Sequence, residues 1–380
     1  MAVILPAGFR SAGVAAGIKP SGDLDLGVIV ASSTASWAGT FTRNAAAAPC
    51  VRWCRAALGS DVQAIVVNSG NANACTGSPG AKAVEATAAA AAQAIGCEPH
   101  DVLIASTGTI GIPLPVDRIT HALPSAIDAL DDDVGSFAHS ILTTDRATKI
   151  SVRAAGDASV VGVAKGAAML APNMATMLAF ITTDARGPEG GLQPLLDDAV
   201  RTSFDRISVD ACESTNDSVF LVSSGHVAVD SDILARAVSE VCRDLAEQMV
   251  RDAEGGSKLV RIQVTGGTTE DHAVALGRAI ASSSLWRAAV NGADPNWGRA
   301  LAAMGAVDRG LDPAAVTLAI GPETLFDSGE PCGSLDAARK AMAADEFTLS
   351  CVVGTGPGAA EILSTDLSAD YVALNAGGTT

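Results

Sequence analysis

Thr176 stands in the stretch KGAAMLAPNMATMLAF, residues 165–180, directly after Ala175 and close behind a Pro172-Asn173 pair. A run this apolar ordinarily builds core, but Pro172 removes a backbone donor and Asn173 favours a turn, so the chain is expected to break at 172–174 and restart at Thr176. A hydroxyl residue placed after a small one at such a break is a candidate nucleophile; packing is the alternative use of the same residue. A threonine nucleophile needs a base. None of the 5 histidines falls at a spacing that suggests a Ser-His-Asp triad. The simplest remaining base is the α-amine of Thr176 itself, free only once the bond to Ala175 is cut. Such an amine titrates at about 7.7 to 8.0, so a good fraction is neutral near physiological pH. The threonine can make the cut: Oγ attacks the Ala175 carbonyl, the acyl group shifts from nitrogen to oxygen, and water frees the ester.

Three further stretches carry groups suited to chemistry. Ser106-Thr107-Gly108 follows a strand-like segment, and turn amides there could hold an oxyanion, or form an ordinary turn. DAEGGSK, 252–258, sets Glu254 and Lys258 around a Gly pair, or simply ends a helix. NGADPNWGRA, 291–300, is dense in turn formers around Trp297 and Arg299, and either pins a loop or lines a site. Two polar runs, NSGNANACTG (68–77) and SVDACESTNDSV (208–219), must form internal hydrogen-bond networks or line a wet cavity, because buried amides and hydroxyls without partners are costly. The 8 cysteines show no CxxC pair and no histidine at ligand spacing. They read as buried reduced thiols, and no metal site is expected; Cys50 and Cys54 alone are a weak ligand pair.

These residues are positioned by an alternation of strand-like and helix-like segments from end to end, which points to a mixed α/β architecture. Strands are expected in DVQAIVVNSG, at 102–105, in ASVVGVAKG, in MLAFITTDA and in KLVRIQVTGG. Helices are expected in GAKAVEATAAAAAQAIG, LQPLLDDAVRTSF and HAVALGRAIASSSLWRAAV, and over 232–252, where Leu234, Val238, Val241, Leu245 and Met249 form one stripe. No internal repeat or low-complexity linker separates domains.

Composition narrows the function. Hydrophobic residues are 48% of the 380 but aromatics only 3%, so the core must be built from closely packed Ala, Val, Leu and Ile. A net charge of -17 lacks the basic footprint of a nucleic-acid binder and favours small-molecule or protein partners. The amino terminus has no basic region before its short apolar run, and no window reaches the roughly 18 apolar residues of a membrane span. A soluble cytoplasmic protein is expected.

AKGAAMLAPNMATMLAFITTDA closely resembles the self-cleaving motif of the ornithine acetyltransferases, the bifunctional glutamate N-acetyltransferase/amino-acid acetyltransferases of arginine biosynthesis. PAGFRSAGVAAGIK, GTFTRN, NSGNANACTG, STGTIG, LTTDRATK, DAEGGSK, GADPNWGRA and YVALNAGGTT resemble further blocks of that family, in family order over nearly the whole chain. The resemblance implies an N-terminal-nucleophile-like layered α-β-β-α sandwich with an associated smaller α/β domain. It implies cleavage between Ala175 and Thr176 into chains 1–175 and 176–380, interleaved in one catalytic body with a smaller C-terminal lobe and assembled as α2β2. It implies ping-pong transfer of acetyl from N2-acetylornithine to glutamate through acetyl-Thr176, without a cofactor; acetyl-CoA stays open as a further donor. Thr107 and Gly108 would stabilise the oxyanion, and Thr144, Lys165, Thr176, Glu254, Asn375 and Thr380 would contact substrate.

The chain departs from the family pattern at Arg146 and Thr148, at Trp286-Arg287 in place of Val-Lys, at Gly378 in place of an aromatic, and at Ala168 in place of Gly. These departures leave substrate preference open. A self-processed threonine hydrolase of the aminopeptidase kind, passing the acyl group to water, is the second reading. An unprocessed binding protein is a third.

Overall fold

A computed structural model describes residues 2–170 and 177–376. In chain order its strands begin with β1 (Phe9–Val14), β2 (Leu26–Phe41), β3 (Val62–Asn71), β4 (Val102–Thr109), β5 (Lys149–Ala155), β6 (Ala158–Lys165), β7 (Leu178–Ala185), β8 (Ile207–Ser208) and β9 (Ser218–Val227). They continue with β10 (Leu259–Gly267), β11 (Thr317–Ile320), β12 (Glu323–Asp327), β13 (Glu330–Pro331), β14 (Glu346–Val352) and β15 (Gly358–Ser364).

The larger sheet runs β4-β3-β2-β9-β7-β6-β5, with β1 beside β2. Its two halves are continuous through the long β2, whose residues Leu26 to Val30 pair with β3 while Ser36 to Phe41 pair with β9. Strict alternation sorts the side chains of the second half. Val161, Val163, Leu178, Phe180, Phe220 and Val222 share a core with β1 to β4. Their neighbours Val160, Ala164, Ala179, Ile181, Val219 and Leu221 face the helices Gln193–Arg201 and Ser231–Arg251. On the far side, helix Pro49–Ala56 lies against β4, with Trp53 Nε1 donating to the Val102 carbonyl at 2.8 Å and Cys54 Sγ to that of Ile104 at 3.2 Å. The layers are therefore α-β-β-α, as anticipated, with one folded sheet supplying both β layers.

Close approach of the long helix needs Gly162: a Cβ there would fall 2.4 Å from Val241 Cγ1 and 2.8 Å from Leu245 Cδ1. That helix starts at an Asp230 cap, which accepts from the Asp232 and Ile233 amides, and buries the stripe read from the sequence.

The smaller lobe is the sheet β13-β12-β11-β14-β10-β15-β8 with its own core, which includes Trp286, Val290, Met304 and Phe347. Ile207, Leu259 and Leu363 join the core of the larger body and hold the lobes together. Two local expectations change. The single helix read through HAVALGRAIASSSLWRAAV is two, Glu270–Ala281 and Ser284–Asn291, because Ser283 turns to cap the second through the Trp286 amide. The turn read around Trp297 leads directly into the helix Trp297–Val307, where Trp297 stacks on Phe326 at 4.7 Å between ring centroids.

Candidate active site

The parallel ladder of β3 and β4 aligns Ser69 with Thr107 and Gly70 with Gly108, so Thr107-Gly108 belongs to the end of a strand and not to the loop expected. Gly108 sits at φ +129°, and a Cβ there would lie 2.3 Å from the Gly70 carbonyl carbon and 2.5 Å from the Asn71 nitrogen. No larger residue fits. The two polar runs build the floor beneath this strand end. Asn216 Nδ2 donates to the Ala72 carbonyl at 2.7 Å and to the Ser106 carbonyl at 2.8 Å, and Ser106 Oγ donates to Asn68 Oδ1 at 2.7 Å. Buried amides are thus satisfied by one another across 68–77 and 208–219, one of the two outcomes expected.

Lys165 closes β6 and is almost wholly buried. Its ammonium donates to Thr143 Oγ1 at 2.7 Å and Thr107 Oγ1 at 3.3 Å, and lies 3.7 Å from Asp145 Oδ2. Asp145 also accepts from Lys149 Nζ at 2.6 Å and the Gly166 amide at 2.7 Å. Burial pushes the Asp145 carboxyl upward, but the charges of Lys165 and Lys149 outweigh it and hold the group well below the usual carboxylate range. Burial pushes the Lys165 ammonium below the usual lysine range; Asp145 and Glu254 oppose that shift, and Lys149 adds to it. Lys149 in turn reaches Asp252 Oδ2 at 2.6 Å. Asp145 and Lys149 were not singled out by sequence reasoning; their four-residue spacing within TTDRATK is the signal that could have found them.

Glu254 and Asn375, far apart in sequence, meet: Asn375 Nδ2 donates to Glu254 Oε2 at 3.0 Å. The Glu254 amide donates to the Ala167 carbonyl at 2.8 Å, tying this pair to the segment after Lys165. Ala175, Thr176 and Thr380, the break at Pro172-Asn173 and the departure at Gly378 lie outside the described residues. The next residue after Thr176 is placed: the Met177 amide donates to Asp217 Oδ1 at 3.0 Å, and Leu178 pairs with Lys165 across the β6-β7 ladder.

The departures at 146 and 286–287 have local partners. Arg146 points at Asp252, Nε to Oδ1 at 3.0 Å. Trp286 fills the core of the small lobe. Arg287 donates to the Thr365 and Asp366 carbonyls, each at 3.1 Å, with its guanidinium 5.9 Å from the Tyr371 ring centroid. Lys258, the other charged residue flagged beside Glu254, donates to the Met342 carbonyl at 2.6 Å and serves the small lobe.

A cavity of about 910 Å³ opens beside Gly108, lined by Thr144 and Asp145 on one wall and by Lys19 and Asp23 on another. Among the described residues, no group of three or more His, Cys, Asp or Glu side chains is placed to hold a metal. No described helix is long and apolar enough to cross a membrane. What the arrangement offers is a glycine strand end beside a hydroxyl, a buried ammonium whose residue pairs in the ladder with the start of β7, and a carboxylate-amide pair tied to the segment after that residue.

Comparison with known proteins adds an independent finding. The model of the ArgJ family matches residues 10–380. An arginine biosynthesis bifunctional protein ArgJ of Thermus thermophilus is 42% identical over 379 residues, covering 99% of either chain. One of Streptomyces coelicolor is 42% identical over 380 residues, again covering 99% of either chain. A crystal structure of arginine biosynthesis bifunctional protein ArgJ from Bacillus halodurans is similar at 33% identity and a TM-score of 0.50, over 52% of this chain and 98% of that one.

Proposed function

This chain belongs to the ArgJ family, and from that premise we propose that it moves the acetyl group of N2-acetylornithine to glutamate through an ester on Thr176. Membership makes it an acetyltransferase of arginine biosynthesis; the atoms that do the work are our reading. The observation that carries it is the 3.3 Å contact of Lys165 Nζ with Thr107 Oγ1, made on the strand pair that begins again just after Thr176.

Cleavage between Ala175 and Thr176 frees the α-amine of Thr176. In its neutral form that amine takes the Oγ proton, and Oγ attacks the acetyl carbonyl of acetylornithine. Thr107 and Gly108 face the oxyanion that forms. The C–N bond then breaks, the proton passes to the leaving nitrogen, and ornithine departs. The neutral α-amine of glutamate next attacks the acetyl ester, gives up a proton that returns to Thr176 Oγ, and leaves as N-acetylglutamate. Lys165 offers positive charge to the α-carboxylate that both amino acids carry. Glu254, held by Asn375, suits the side-chain ammonium of ornithine. Thr144 and Thr380 complete the contacts. No cofactor enters this route, and acetyl-CoA would act as a second donor to the same hydroxyl. We place the enzyme in the cytoplasm as an α2β2 assembly of chains 1–175 and 176–380. The Bacillus halodurans chain supports cleavage, since nearly its whole length spans about half of this one.

Intact-mass spectrometry tests the reading. Two fragments, the second starting at Thr176 and gaining one acetyl group on incubation with acetylornithine, are expected. Thr176→Ala is expected to stay uncut and inactive; full activity in that variant would sink the nucleophile assignment. Acetate release as fast as transfer to glutamate would mark a hydrolase instead.

A further inference from the structure

The motif PAGFRSAGVAAGIK ends on Lys19, a residue the mechanism above leaves without a task. Its loop is rigidly held. Asp25, fully buried, accepts from the Ala16 amide at 2.6 Å and from the Ile18 and Lys19 amides at 2.5 and 2.8 Å. The Lys19 ammonium spends one donor on the Leu24 carbonyl at 2.7 Å, which leaves two for a ligand.

Three chain segments stack in close succession at this point. A Cβ on Gly108 would strike the Gly70 backbone at 2.3 Å, and a Cβ on Gly70 would meet Lys19 Cγ at 3.0 Å. Two glycines thus let the lysine stem lie one backbone layer away from the strand end assigned to the oxyanion. Lys19 and Gly108 line the same cavity of about 910 Å³.

The proposed reaction poses a charge problem that this placement answers. Ornithine leaves with an ammonium at the end of its side chain; glutamate arrives with a carboxylate at the corresponding end. Lys165 can serve the α-carboxylate of either, but Glu254 attracts the ammonium and repels the carboxylate. The acceptor therefore needs a cation of its own. Lys19, Arg118 and His139 line the cavity; Lys19 and Arg118 each spend one donor on a backbone carbonyl, of Leu24 and of Gly17, and His139 Nδ1 faces the Gly135 carbonyl at 2.8 Å. Lys19 is the one packed onto Gly70.

We infer that Lys19 receives the side-chain carboxylate of the acceptor, so that donor and acceptor amino acids engage different charged residues at one threonine. This rests on the acetyl-transfer reading. The two are separated by measuring the acetylornithine half-reaction, seen as acetyl-enzyme by mass spectrometry, apart from transfer to glutamate or to its uncharged isostere glutamine.

In Lys19→Met, the ratio of kcat/KM for glutamate over glutamine is expected to fall at least about tenfold, mainly through the KM for glutamate, the loss expected of one charge-assisted hydrogen bond. Lys19→Gln, which can still donate to the Leu24 carbonyl, is expected to show the same fall. A merely structural role would lower both acceptors together. An unchanged glutamate-to-glutamine ratio in either folded variant would overturn the inference. Wild-type enzyme that forms no acetyl-enzyme would overturn the acetyl-transfer reading and this inference with it.

Discussion

The Met177 amide donates to Asp217 Oδ1 at 3.0 Å, placing a fully buried carboxyl one peptide away from Thr176. Burial raises that carboxyl well above its ordinary 3.8. The folded protein therefore keeps a proton that the unfolded chain releases above pH 3.8, and stability contributed at this site falls as pH rises from there toward the folded value. Asn in place of Asp217 carries no such proton. The melting temperature of wild type relative to Asp217→Asn should drop as pH rises above 3.8 in thermal scans; a constant difference would refute it.

On the proposed route, Thr107→Val should reduce kcat by about 10²–10³ with little change in KM for acetylornithine, the effect expected when an oxyanion donor is lost; an unchanged kcat would remove Thr107 from that role. Stopped-flow acetylation of the enzyme would show it. Gly108→Ala should lose activity and fold stability together, because its methyl meets backbone at 2.3 Å.

Asp145 neutralises two buried lysines, Lys149 at 2.6 Å and Lys165 at 3.7 Å. Asp145→Asn should cost about 3–5 kcal/mol in denaturant unfolding, since it strands buried charge. The depressed wild-type carboxyl supplies stability above pH 3.8 that is lost as pH falls below it, and the variant should lack that acid limb.

Arg146 is 62% exposed, and its partner Asp252 keeps Lys149 if the arginine is removed. Arg146→Ala should change stability by at most about 1 kcal/mol. The KM for acetylornithine should move less than about threefold, a span of under 1 kcal/mol, since this side chain donates to Asp252 and to the Arg251 carbonyl. A tenfold rise would place Arg146 in substrate binding.

Local pattern alone determined much of this protein. The apolar run of MLAFITTDA made β7, the 3.6-residue stripe made the long helix, and Thr107, Gly108 and Glu254 stand out as groups at glycine-containing turns, whereas Thr144, Lys165 and Asn375 are marked by the family resemblance of their blocks. Those signals are legible because each depends on neighbours in the chain. What only tertiary structure decided is which distant groups share a charge or a hydrogen bond. Asp145 and Lys165 meet across 20 residues of sequence, Glu254 and Asn375 across 121, and Asn216 reaches the Ala72 carbonyl across 144. Strand pairing sets those encounters: β6 returns beside β7, and β3 lies parallel to β4. The placement of Lys19 is of the same kind, since two glycines in separate strands had to stack before its stem could lie over the site.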